Sequence, residues 1–181
     1  MEPMIRGELA ALLIVAIALG SCTQVFPGRI SLQRRDPSTP EERTRAVQMA
    51  RSLEADPLAP NLQGDREWLI KWQLEVPDIS IKSVKFCASF LGDLGDPKSG
   101  YPGAVNFTMV ASEVAFVIEH PDKANDVEAI YLAGVNGALH GYEAIHKKDM
   151  SYRLPHLDDL VRMRDQGELA DYVHATAKEC K

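Results

Sequence analysis

The chain has 181 residues, of which 45% are hydrophobic and 25% are charged, and its formal net charge is −6. A chain of this length can bury one sizeable hydrophobic core and is short for two independent domains. Proteins that bind nucleic acid or anionic membranes through their whole surface are usually basic. The acidic balance therefore argues against both partners, and we expect no nucleic-acid partner.

Residues 1–21 have the composition of an export signal. Residues 9–19 form an uninterrupted apolar run, LAALLIVAIAL. This run is too short to cross a bilayer as a mature helix, but it suits the hydrophobic region of a signal peptide. It ends in Leu19-Gly20-Ser21-Cys22, which resembles the lipobox of bacterial lipoproteins. That resemblance implies that Cys22 carries a lipid and becomes the mature N-terminus.

The first residues leave the destination of the chain open. Glu2 and Glu8 outnumber Arg6, so the segment before the apolar run is not cationic, although translation from Met4 would remove Glu2. Thr23 follows the cysteine, where lipoproteins kept at the bacterial inner membrane often have Asp. By that analogy, we expect a periplasmic protein anchored to the outer membrane by its lipid. A conventional secretory signal and a secreted protein are the alternative.

Residues 22–38 are predicted to form a flexible tether, and residues 39–181 an α-helical domain. Thr39, Pro40 and Glu42 predict the start of the first helix, because they provide an N-cap, a proline in the first turn and the Glu of a capping box. Asp56-Pro57 predicts its end.

A second helix is predicted over residues 66–76, with Asp65 as its cap and Pro77 as its stop. Its two tryptophans could stack on a sugar or a peptide, but such residues more often belong to the core. Large apolar residues lie on several sides of this helix, which predicts heavy burial: Trp68, Leu69, Ile70, Trp72 and Leu74.

Five further helices are predicted along the rest of the chain. They run from about residue 80 or 83 to 94, from about 102 or 103 to 119, over 126–148, from 155 to Gly167, and over 168–180. No strand signal interrupts them. The sequence therefore predicts an all-α fold, a single orthogonal or irregular bundle of about six to seven helices.

The helix predicted over 126–148 is expected to lie at the centre of the bundle. Apolar or small residues cover roughly 200° of its circumference, more than a surface helix needs. Gly134, Gly137 and Gly141 share one face, and each costs about 1 kcal/mol relative to Ala in a helix. We interpret them as the contact surface for a crossing helix that packs closely. A ligand groove is the alternative.

Three cysteines occur in the chain. If Cys22 is lipidated, Cys87 and Cys180 remain as a pair in an exported protein, where disulfides persist. In the chain-entropy model, closing a loop of about 94 residues stabilises the fold by up to about 4.7 kcal/mol. We therefore predict one disulfide between them. Two buried free thiols are the alternative.

Five residues form a candidate metal-binding set. His140, Glu143 and His146 follow one another at three-residue steps, and Glu143 with His146 has the spacing of the half-motif of di-iron carboxylate bundles. Asp171 and His174 resemble a second half-motif. Two such helices facing each other could hold a metal ion.

The di-iron resemblance requires two further buried carboxylates, for which Glu75 and Glu113 are the candidates. The alternative interpretation of His140, Glu143 and His146 is a solvated strip containing an ion pair between residues three positions apart. The sequence contains no G-x-S-x-G, His-Glu-x-x-His or phosphate-loop motif, so no catalytic residue and no cofactor are predicted.

Three segments carry a resemblance to known proteins. Residues 131–142 (YLAGVNGALHGY), 154–159 (LPHLDD) and 167–173 (GELADYV) resemble a family of small helical exported bacterial proteins without an assigned activity. The chain is also similar, over its last half, to the Rap1a/Tai-type immunity proteins. These are small exported helical domains with a disulfide and a helix rich in Tyr and Gly. This likeness transfers no residue roles.

The sequence therefore predicts a lipid-anchored or secreted helical domain that acts as a non-catalytic protein-interaction module in the cell envelope. Its expected partners are the membrane, through the N-terminal lipid, and an envelope protein. One alternative is a metal-binding protein or an enzyme that uses His140, Glu143, His146 and His174. Another is an immunity-like or chaperone-like periplasmic protein.

Overall fold

Six α-helices and two short 3₁₀ turns form the described part of the chain. The structure is a computed structural model, and it describes residues 35–79, 90–92, 94 and 101–179, except for the side chain of Pro102. No strand occurs among these residues, which confirms the all-α prediction. The helices are α1 (Pro40–Ala55), α2 (Gln63–Glu75), α3 (Pro102–Glu119), α4 (Val127–Lys148), α5 (Pro155–Gln166) and α6 (Leu169–Ala177).

Several predictions concern residues outside the described ranges. These are the signal sequence, the tether up to residue 34, and the helix predicted from about residue 80 to 94 except for its last residues. Cys22, Cys87 and Cys180 also lie outside them. Lipidation and the disulfide therefore stay predictions.

The predicted start of α1 and the predicted end of α5 are confirmed. The Glu42 amide donates to Thr39 Oγ1 at 3.2 Å, and the Thr39 amide donates to Glu42 Oε2 at 3.0 Å, so both hydrogen bonds of the capping box are present. Gly167 ends α5 in the left-handed conformation, with φ at 79°. Glycine adopts this conformation without the steric cost that a Cβ brings.

The predicted start of α2 is wrong. The 3₁₀ turn Pro60–Leu62 leads directly into the helix, which begins at Gln63. Asp65 therefore lies in the first turn and not at the cap, and its carboxylate pairs with Arg45 of α1 at 2.7 Å. An acidic side chain in the first turn still interacts favourably with the positive end of the helix dipole.

The predicted heavy burial of α2 is also wrong, because one side of the helix faces solvent. Trp72 and Leu69 are buried, but Ile70 is 49% exposed and Leu74 is 54% exposed. Trp68 stacks on Trp72 with 5.4 Å between ring centroids. The tryptophan pair therefore attaches α2 to the bundle.

Two hydrophobic clusters meet at α3. One face of α3 packs with α1 and α2, through residues such as Val114 and Leu53. Another face, which includes Met109, packs with α4, α5 and α6 around Leu139 and Leu157. The predicted central helix, α4, contacts α1, α3, α5 and α6. α3 and α4 together therefore form the middle of the bundle.

Candidate binding site beside the central helix

The glycine face of α4 is covered by polar side chains of α3. A Cβ at Gly137 would overlap the side chain of Ser112, and a Cβ at Gly141 would lie 3.1 Å from Oγ1 of Thr108. The Ser112 hydroxyl donates to Glu54 Oε1 of α1 at 2.7 Å. The glycines thus make room for a polar layer in which α1, α3 and α4 meet.

Glu113 is the most unusual member of this layer. Its side chain is only 4% exposed and lies against Gly134, where a Cβ would come within 2.6 Å of its Cγ. Burial raises the pKa of this carboxyl from the usual 4.5 to about 8, because the charged form loses its hydration. In the folded protein, the Glu113 carboxyl is therefore mostly protonated and neutral at pH 7.

A cleft of about 490 Å³ opens where the polar layer reaches the surface, between α1 and the C-terminal half of α4. We call it the α1–α4 cleft. The α4 residues lie at intervals of three, four and seven positions, so they share one face of the helix. The lining residues are Arg51, Glu54, Ala55, His140, Glu143, Ala144, Lys147 and Lys148.

A second concavity, of about 280 Å³, lies on the other side of Glu143 and Lys147. We call it the α4–α5 hollow. Glu143 and Lys147 line both concavities and form the ridge between them. The other lining residues of the hollow are Tyr142, His146, Arg153, Asp158 and Val161.

Ion pairs fix the carboxylates of the cleft. Arg164 of α5 donates to both oxygens of Glu143, at 2.8 and 3.1 Å. These hydrogen bonds raise the pKa of the guanidinium above its usual range. Arg51 donates to both oxygens of Glu54, at 2.8 and 3.1 Å, and also to Glu119 at 2.6 Å. Two-pronged arginine pairs of this kind hold both the position and the orientation of a carboxylate.

Asp158, the other carboxylate of the hollow, is also held by an arginine. Arg153 donates to Asp158 Oδ2 from two nitrogens, at 3.0 and 2.8 Å. The Tyr142 hydroxyl donates to the other oxygen of Asp158 at 2.7 Å and accepts from the Leu154 amide at 3.1 Å. These contacts connect the start of α5 to α4.

Three basic groups of the two concavities have no such partner. His140 and Lys147 make no hydrogen bond or ion pair with any described residue. The Nδ1 nitrogen of His146 lies 3.1 Å from the Tyr152 carbonyl oxygen, which can only accept, so Nδ1 carries a hydrogen and donates. This bond leaves the Nε2 nitrogen of His146 without a described partner.

The structure does not bring the two halves of the candidate metal-binding set together. His174 of α6 lies 2.8 Å from Glu128, near the start of α4. Glu143 is 15 residues further along α4, a distance of about 22 Å at 1.5 Å per residue. Within the described ranges, no group of three or more His, Cys, Asp or Glu side chains is arranged to hold a metal ion.

The other members of that set also lie apart. Asp171 is exposed on α6. Glu75, on α2, has Lys71 at 3.9 Å, and Glu113 faces the backbone of α4. His140 is exposed and Glu143 partly exposed, as expected for a solvated strip. The ion pair expected within that strip is wrong, because Glu143 pairs with Arg164 of α5.

Sequence reasoning missed four residues of this surface: Lys147, Arg153, Asp158 and Arg164. Arg153 and Asp158 pair with each other over five residues, whereas Arg164 of α5 pairs with Glu143 of α4. For Lys147 the available signal was its spacing on α4, since it lies seven residues after His140 and four after Glu143. That spacing places the three on one face.

Comparison of the chain with models of protein families, with characterised proteins and with solved structures finds no match. None of the described helices combines the length and the hydrophobicity needed to cross a membrane.

Replacement of Glu113 by Gln is expected to flatten the pH dependence of stability. The buried carboxyl holds its proton up to about pH 8, whereas the unfolded chain releases it near 4.5, so the parent protein loses stability as the pH rises between these values. The variant should gain on the parent by up to about 1.4 kcal/mol per pH unit, of order 5 kcal/mol in all. Urea unfolding at pH 5, 6, 7 and 8 measures this difference.

Glu113→Met is the matched second variant, because it is also neutral and of similar length. Both variants should diverge from the parent with the same slope against pH. Parallel stability curves for the parent and both variants would show that Glu113 does not titrate in this way.

Proposed function

We propose that the chain is a non-catalytic interaction module of the cell envelope, and that its α1–α4 cleft binds a segment of another protein. The supporting observation is that each carboxylate of the cleft is paired with an arginine. Arginines hold Glu54 and Glu143 in fixed pairs, so these carboxylates form the cleft wall with both oxygens hydrogen-bonded inside the protein. Concave surfaces on rigid helices with a few polar groups are common binding sites.

The partner, on this proposal, is a protein that meets the domain in the envelope. An immunity-like or chaperone-like role is a special case, in which the partner is a toxin or an unfolded client. The resemblance to exported immunity proteins is its only support. The metal-binding or enzymatic alternative has no support from the described geometry, because His174 of the second half-motif lies beside Glu128, about 22 Å along α4 from Glu143.

The proposed location rests on the N-terminal sequence. We propose that residues 1–21 direct export, that Cys22 receives a lipid, and that the following residues tether the helical domain to the membrane. The support is the apolar run followed by a small-residue sequence and a cysteine. A lipid anchor would keep the cleft close to other proteins of the same membrane, where an interaction module is effective at modest affinity.

Replacement of Ala144 by Arg should block the cleft. Ala144 is half-buried in the lining, and an arginine there fills space that the partner would occupy, without entering the core. Immobilised parent and variant proteins are compared for what they retain from an envelope extract of the producing cells. The partner, once purified, should bind the variant at least tenfold more weakly than the parent.

Ala175→Arg is the matched control, because Ala175 is exposed on α6, away from the cleft lining. It should bind the partner as the parent does. If the parent and both variants retain the same proteins to the same extent, the cleft is not the binding surface.

Replacement of Cys22 by Ser should abolish lipid attachment, because serine lacks the thiol that is modified. Cells that express the full chain are labelled with an alkyne analogue of palmitate, and the incorporated label is measured. Cys87→Ser should keep the full label, since it removes a different cysteine. An unlabelled parent protein, or equal labelling of the parent and Cys22→Ser, would contradict the proposed anchor.

A further inference from the structure

We infer that the partner segment is acidic, and that Lys147 binds one of its carboxylates on the ridge between the α1–α4 cleft and the α4–α5 hollow. This inference rests on the proposed function and specifies its partner. It depends on which charges of the two concavities are already matched inside the protein and which are not.

The acidic groups of both concavities are matched. Glu54 pairs with Arg51, Glu143 with Arg164, and Asp158 with Arg153, each at 2.8 Å. These three residues are all the carboxylates that line the cleft and the hollow. A basic partner would therefore have to compete with an arginine that is already in place.

The basic groups are only partly matched. Lys148 pairs with Asp56 at 2.5 Å, but Lys147 pairs with no described residue. Lys147 lines both concavities, so an incoming carboxylate can reach it from either side. Its ammonium group offers three hydrogen-bond donors to such a group. An acidic group is therefore the partner that Lys147 lacks within the described part of the chain.

One imidazole extends the same surface. His140 lies seven residues before Lys147 and lines the cleft. The His140 ring can donate a hydrogen bond to an oxygen, whereas Nδ1 of His146 already donates to the Tyr152 carbonyl. Lys147 and His140 are therefore two donors on one face of α4, which suits a segment with spaced acidic side chains.

The walls favour a peptide over a polyanion such as nucleic acid or an anionic membrane surface. Glu54, Glu143 and Asp158 stand beside the donors, and a densely charged polyanion would bring its other charges close to them. Ala144 and Val161 add small apolar surfaces that can pack against the aliphatic part of a peptide.

The test uses the full chain in detergent and a blocked hexapeptide of alternating glycine and glutamate. Titration followed by NMR should shift the backbone amides of residues 140–148. Lys147→Glu should weaken binding at least tenfold, because it replaces the donor with a like charge. Lys123→Glu should change the affinity less than twofold, since Lys123 lies in the turn before α4 and carries the same charge change.

Lys147→Gln provides a second variant that removes the positive charge without adding a negative one, and it should weaken binding at least threefold. Thermal unfolding of each variant establishes that it is folded. The inference is overturned if the equivalent lysine peptide binds as tightly, if both Glu variants weaken binding equally, or if the shifts map elsewhere or are absent. It is also overturned if Lys147→Glu reduces binding to phosphatidylglycerol vesicles but leaves peptide binding unchanged.

Failure of this inference differs from failure of the proposed function. If Ala144→Arg prevents partner binding and Lys147→Glu does not affect the peptide, the cleft binds a protein that is not recognised through an acidic side chain.

Discussion

The close approach of α3 to α4 depends on three positions of α4 that have no side chain. Gly134, Gly137 and Gly141 together cost the isolated helix roughly 3 kcal/mol relative to alanine. The bundle offsets this cost because side chains of α3 occupy the space that three Cβ atoms would fill. Packing contacts of this kind, more than helix propensity, hold most protein helices in place.

The same constraint explains why the interface is polar. The small space above each glycine accommodates the hydroxyls of Thr108 and Ser112, which are satisfied by the Ala104 carbonyl and by Glu54. A buried polar group that keeps a hydrogen bond costs little, whereas one without a partner costs more. Glu113 avoids most of the cost of a buried charge by holding its proton.

The polar layer also connects the core to the surface that we propose for binding. Glu54 accepts from Ser112 inside the bundle and from Arg51 at the cleft. The wall of the α1–α4 cleft is therefore fixed by the same crossing of helices that fixes the core. On the other side of the ridge, Arg164 ties Glu143 to α5. Lys147 lies between these fixed pairs and has no described partner of its own.

Local patterns predicted the helices well, because helix ends and apolar periodicity are encoded within a few residues. The Thr39 cap and the Gly167 terminus are such cases. Tertiary features were not predictable in this way. The solvent-facing side of α2 at Ile70 depends on which neighbours the helix has, and the pairing of Arg164 with Glu143 joins residues 21 positions apart. Motif spacing on two helices likewise did not indicate where those helices meet.

The free energy of unfolding of Gly137→Ala, compared with that of Gly64→Ala, tests the central claim most directly. Both changes raise helix propensity, but nothing lies within 4 Å of a Cβ at Gly64, whereas one at Gly137 overlaps Ser112. We predict that Gly64→Ala stabilises the protein by up to about 1 kcal/mol. Gly137→Ala should destabilise it by about 1–3 kcal/mol through overpacking. Equal stabilisation by both changes would contradict the close seating of α3 on the glycine face of α4.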